Sequence, residues 1–186
     1  MIRKVLIGVG VVILALGIFV VYLSLTTKSH SPEETAQFEN DKIKVEVKYC
    51  RPFRKDRLIF GEINSGALVP YGQKWRTGAN EATEITFSQS ILFGGESVPA
   101  GTYSLYTIPE QASWAVVLNK KVGYWGASFT GDPFDEKLDV ARTIAETSSL
   151  ETPVEQFGIS IQDVGSDSLL LTFGWDQTQA SAYFTY

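Results

Sequence analysis

The chain has almost none of the residues on which metal and thiol chemistry depend. Its one cysteine, Cys50, excludes an intramolecular disulfide, and its one histidine, His30, excludes the usual two- and three-histidine metal sites. Neither a metal nor a cofactor is expected. Positive charge is scarce too: 16 Lys and Arg stand against 21 Asp and Glu, a formal net charge of -5, and no basic run is suited to neutralising a phosphate backbone. Nucleic acid is therefore not expected as a partner. Internal repeats and low-complexity tracts are lacking, and the second part of the chain shows no long amphipathic helix. Cys50 closes the apparent strand "KIKVEVKYC", where it reads as a small half-buried packing residue rather than a reactive thiol.

One long apolar run is present. Val5 to Leu25 contains no charged residue, and about 20 helical residues at about 1.5 Å each suffice for the roughly 30 Å of bilayer hydrocarbon. A secretory signal has a shorter apolar core and a small-x-small cleavage site. Here the run continues into "SLTTKSHSPEE", which offers no such site, and no cysteine follows for lipidation. An uncleaved single span is expected over residues 1–25. Arg3 and Lys4 flank its start and only Lys28 lies close beyond it, which places the N-terminus in the cytoplasm and the rest of the chain outside. Residues 26–39, rich in Ser, Thr and Glu, read as a polar stalk, and residues 40–186 as the folded domain.

In that domain the dominant period is two. "KIKVEVKY" alternates Ile43, Val45, Val47 and Tyr49 with Lys and Glu, and "EITFSQSI" sets Ile85, Phe87 and Ile91 inward, interrupted by Gln89. "TYSLYTI" has apolar residues on both faces, so both faces should be covered. "DPFDEKLDVARTIAETSSL" reads as a short turn leading into a strand. With turn residues in "VPYGQ", "FGGES", "VPAG" and "VGSDS", about eight strands are expected. The fold class is all-β, an antiparallel sandwich or jelly-roll-like domain behind one N-terminal transmembrane helix.

Two stretches are candidate sites. "WRTGANEATEI" offers Trp75, Arg76, Thr77, Asn80 and Glu81. Arg76 and Glu81 either staple a corner by satisfying each other, or Arg76 clamps a ligand carboxylate or phosphate. "NKKVGYWGASFTGDPF" offers Asn119, Tyr124 and Trp125 in a loop rich in glycine and aromatics, with Trp125 placed to stack on a sugar ring or a partner side chain or, alternatively, to pin the loop to the core. The acids Asp132, Asp135, Glu136 and Asp139 lack the spacing of a calcium loop.

The ordered motifs "VPYGQKWRTGANEATEITFS", "VPAGTYSLYTIP" and "WAVVLNKKVGYWGA" resemble the domain-of-unknown-function 2911 family of exported bacterial proteins, typical of Bacteroidota, from about Ile43 to Tyr186. The resemblance implies a β-rich extracytoplasmic domain, here held at the bacterial inner membrane and facing the periplasm, and carries no activity. Catalysis lacks its parts: there is no histidine in the domain, and Glu81 and Glu84 fall on opposite faces if the strand already includes Glu81. The residues favour a binding module for a protein partner or a glycan. Two alternatives stand beside it: an accessory subunit of a membrane complex, packed through Gly8, Gly10, Ala15 and Gly17, and an envelope enzyme acting on glycan or peptide.

Overall fold

The computed structural model describes residues 2–125 and 133–186. Helix α1 runs from Ile2 to His30, and every side chain from Leu6 to Tyr22 is exposed. A helix apolar on all sides has no polar face to give to water. Its length and composition are enough to cross a membrane.

The rest is mostly β. The strands are β1 (Glu33–Glu39), β2 (Lys44–Cys50), β3 (Phe60–Gly61), β4 (Val69–Pro70), β5 (Thr83–Phe87), β6 (Ile91–Phe93), β7 (Glu96–Val98), β8 (Gly101–Pro109), β9 (Ser113–Asn119), β10 (Asp139–Gly165) and β11 (Ser168–Thr185). Nine form one antiparallel sheet in the order β1-β2-β5-β8-β9-β10-β11-β6-β7, while β3 and β4 make a small parallel pair. The sheet folds over itself into sandwich-like layers without closing a barrel. Contacts between strands far apart in that order show the fold-over: Phe87 of β5 packs on Phe184 of β11 at 5.6 Å, and the Tyr49 hydroxyl of β2 accepts from the Ile159 amide of β10 at 2.9 Å.

Two long strands make this possible. Strand β10 pairs with β9 over its first third and with β11 beyond, and register shifts between Ser149 and Gly158 let one strand serve both layers. In β11 the buried residues are Leu169, Leu171, Phe173 and Trp175, then Ala180, Ala182 and Phe184. The inward parity changes at Asp176, whose φ of 52° breaks the alternation.

The expected alternation holds in β2, where Val45, Val47 and Tyr49 are buried between more exposed Lys44, Glu46 and Lys48. Both faces of β8 are covered, the second by a small cluster of Tyr106, Val117 and Phe134. A 3-10 turn at Glu136–Leu138 leads into β10, matching the turn-then-strand reading. Two readings change. "EITFSQSI" is two strands: a turn at Ser88–Ser90 carries the chain from β5, between β2 and β8, to β6, beside β11. Residues 26–39, read as a stalk, instead continue the helix to His30 and then form β1, paired along its whole length with β2. The cause is the period-two pair Ala36 and Phe38, which packs against the core.

Candidate functional site

The first candidate stretch is a corner built around Trp75. The indole is 9% exposed and lies among Phe60, Trp114, Phe157 and Trp175, with ring centroids 5.0 to 5.9 Å away. Its Nε1 donates to the Gly78 carbonyl at 3.0 Å, and its backbone exchanges hydrogen bonds with Thr107 of β8. Thr77 is fully buried at φ 55°, with its hydroxyl 3.1 Å from that of Thr107, and Thr83 donates to its carbonyl at 2.8 Å. Gly78 permits the corner to press on β2: a Cβ there would lie 2.8 Å from the Cys50 carbonyl. Trp75 and Thr77, expected as binding residues, are thus interior parts of the corner.

Asn80 and Glu81 face the end of α1. Asn80, buried at φ 58°, directs Nδ2 to the Ser31 carbonyl at 3.3 Å, just past the helix, and to the Thr27 carbonyl at 3.5 Å, which also accepts from the Ser31 amide. Glu81 meets Lys28 at 3.3 Å, and the Cys50 thiol donates to it at 3.4 Å. Lys28 also reaches Glu33 at 3.2 Å, and Lys48 reaches the other oxygen of Glu33 at 3.2 Å. Burial works against the Glu33 carboxylate, but the hydrogen bonds from Lys28 and Lys48 outweigh it and hold its pKa below the usual range. The Cys50 thiol moves the other way: burial and the Glu81 carboxylate push it up, as suits an inert packing residue.

Above this latch lies a cavity of about 380 Å³. It is lined by Lys28 from α1, Glu33 of β1, Lys48 of β2, Glu81 and Glu84, and Tyr124 and Trp125. The two candidate stretches therefore converge, joined by a bridge between Glu81 and Trp125 and by the Ala82 amide donating to the Tyr124 carbonyl at 3.0 Å. Trp125 is 41% exposed at this cavity. Tyr124 stacks under Lys121, with Nζ 4.9 Å from the ring centroid. Glu84 accepts from the Gly123 amide at 2.7 Å and so fastens the loop to β5. Glu81 and Glu84 share the cavity in spite of their odd spacing, because β5 begins only at Thr83 and strand alternation does not reach Glu81.

Arg76 and Asn119 are elsewhere. Arg76 lines a separate cavity of about 430 Å³, and burial draws its pKa down from the usual guanidinium value. The expected Arg76–Glu81 staple is replaced by the pairing of Glu81 with Lys28. Asn119 is 2% exposed and holds the turn before β10, donating to the Asp135 carbonyl at 2.8 Å and to Asp139 at 2.7 Å. Asp135 caps the 3-10 turn and Asp139 also accepts from the Tyr106 hydroxyl. Of the second stretch, residues 126–132, with Asp132, lie outside the described residues. The charged cavity residues absent from the sequence-based candidates are Lys28, Glu33, Lys48 and Glu84. The spacing of Ala36 and Phe38 was the available sign that residues 33–39 form a strand and not a stalk.

The model of a protein family of unknown function, DUF2911, matches residues 31–184. The chain belongs to the DUF2911 family. The DUF2911 match begins directly after α1 ends and includes β1, so the family's unit takes in the edge strand that completes the cavity wall. No curated protein and no solved structure matches this DUF2911 chain.

Proposed function

We propose that this protein is a membrane-anchored, extracytoplasmic binding module without catalysis, and that its ligand seats in the cavity between the helix end and Trp125. The observation that carries the reading is the convergence itself: the last helical turn, strands β1, β2 and β5, and the stretches at Glu81 and at Tyr124–Trp125 together supply an exposed indole, a phenol, two lysines and three carboxylates to one cavity. Aromatic area at low entropic cost, ringed by fixed polar groups, suits a ligand with a flat apolar face and hydroxyl or amide edges, such as a sugar ring or a peptide segment. The carboxylates support binding over acid-base work, because Glu84 holds a backbone amide and Glu81 is held by Lys28. The anchored reading is supported by the way Asn80, Glu81 and Glu33 grip the final helical turn, which a removable signal has no need of.

The test is a mild-detergent pull-down and a glycan array with the full-length chain and its Trp125→Ala variant. Ligand capture by the wild type that is lost in Trp125→Ala, with an unchanged melting temperature, supports the reading. Capture that follows the helix and ignores Trp125 makes the protein an accessory subunit of a membrane complex. Release of cut glycan from the array would replace the binding module with an enzyme.

A further inference from the structure

The segment Arg51–Arg57, "RPFRKDR", carries four cations and one acid. Arg51 pairs with Glu34 at 3.1 Å and Arg54 with Asp176 at 2.9 Å. Lys55 and Arg57 are different. Both are exposed, and among the described residues neither has an ion pair; the Arg57 guanidinium donates only to the neutral carbonyls of Arg54 and Phe53. Both line the 430 Å³ cavity together with His30, the last residue of α1, and Lys74, which meets Glu136 at 2.8 Å. No Asp or Glu lines that cavity among the described residues. Two acids lie close by: Glu155 of β10 accepts from the Lys55 backbone amide at 3.0 Å, and Asp56, the segment's own acid, lies at a φ of 57° in the turn.

Near these cations in the chain are three exposed apolar side chains. Leu58 and Leu68 are joined by the hydrogen bond from the Leu68 amide to the Leu58 carbonyl at 3.0 Å, and Ile63 lies in the connection between β3 and β4. Their exposures are 49%, 46% and 61%. Leu68 lines the same cavity as Lys55, Arg57 and His30.

The height of this surface follows from the helix. Five residues carry α1 from Leu25, the end of its apolar run, to His30. At about 1.5 Å each they rise about 7 Å, and each headgroup layer adds roughly 5 to 7 Å to the hydrocarbon of a bilayer. The cavity beside His30 therefore lies at the level of lipid phosphates.

We propose that Lys55, Arg57, Leu58, Ile63 and Leu68, beside the end of α1, bind an anionic phospholipid of the membrane that the helix spans. The headgroup phosphate meets the two cations, and the glycerol and upper acyl region meets the three apolar side chains. The inference rests on the anchored reading above. It gives the domain a second hold on the bilayer beside the helix.

The experiment uses full-length protein in nanodiscs of phosphatidylcholine alone or with added phosphatidylglycerol, read by amide hydrogen exchange over residues 54–68. Slower exchange with phosphatidylglycerol, halved in Lys55→Gln and abolished in Lys55→Gln/Arg57→Gln at unchanged melting temperature, is the expected result. At roughly fivefold per cation, the double variant binds the anionic lipid roughly 25-fold more weakly. Equal exchange in both lipid compositions overturns the proposal, as does the same protection from inorganic phosphate in phosphatidylcholine discs, which would make the site one for a soluble phosphate. A chain that washes out of its native membranes with alkaline carbonate fails the anchored reading instead. A chain that resists the wash yet shows no lipid-dependent protection fails only this proposal.

Discussion

Trp75 and Trp125 belong to the two stretches that meet at one corner of the molecule, yet they live in different surroundings. Trp75 is enclosed by four aromatic rings and bonds its indole N–H to the Gly78 carbonyl. Trp125 keeps 41% of its surface exposed at a polar cavity, and a backbone bridge ties it to Glu81. An indole inside the core contributes through apolar area and ring packing; one at a cavity rim retains that area for something that arrives later. The corner thus separates into a structural half, Trp75 to Gly78, and a half that faces the helix and the cavity, Asn80 to Trp125.

The largest effect expected is at the structural half. Trp75→Ala should cost about 3 to 5 kcal/mol, since a large buried ring leaves a void that its neighbours fill only partly. Urea denaturation measures it, and a loss similar to that of Trp125→Ala would erase the distinction between the two regions. Asn80→Gly keeps a residue at ease with positive φ but removes the amide, leaving the Ser31 carbonyl without its donor and the Thr27 carbonyl with the Ser31 backbone amide alone. A cost of about 1 to 2 kcal/mol is expected, with faster amide exchange confined to residues 27–33. Uniform loosening of the whole sheet would mean that Asn80 serves the core rather than the helix end.

A pH titration sharpens the comparison further. Burial raises the pKa of the Cys50 thiol and of the Tyr49 and Tyr106 phenols, the last also through Asp139. Each folded-state group then keeps a proton that the unfolded chain has already released. Their contribution to stability is intact below the ordinary thiol value of about 8.5 and is lost as pH rises past it, first for Cys50 and then for the tyrosines near about 10. The urea midpoint should be flat from pH 6 to 8 and fall from pH 8 to 10, and Cys50→Ala should flatten the first part of that fall. Lys28→Gln breaks two ion pairs whose side chains are about 40% exposed, so its cost should be no more than about 1 kcal/mol, shrinking in high salt. Trp125→Ala should change stability least, by about 0.5 kcal/mol, while removing ligand capture.

Much of the fold was legible because its signals are local. Val45, Val47 and Tyr49 alternate with charged neighbours, and the doubly apolar β8 is indeed covered on both faces. The site was legible only in pieces. Trp75, Arg76, Thr77, Asn80 and Glu81 are close in sequence, but small differences in backbone direction at Thr77, Gly78 and Asn80 send their side chains to the core, to a basic cavity and to the helix end. Residues 26–39 looked like a stalk because an edge strand with one exposed face is mostly polar; the spacing of Ala36 and Phe38 is a faint local sign, and the order comes from pairing with β2.

The sequence by itself determined the apolar helix, the β alternation and the family, because each depends on residues within a few positions of one another or on an ordered set of motifs. Only the tertiary structure decided that β11 folds over β5, that Lys28 answers Glu81, and that Trp125 shares a cavity with the helix end. Those contacts join positions 50 or more residues apart in the chain. The first depends on the long strands β10 and β11 that join the two layers, and the other two on the lateral order β1-β2-β5-β8-β9, so their partners are set by the order and register of the sheet and not by any spacing in the chain.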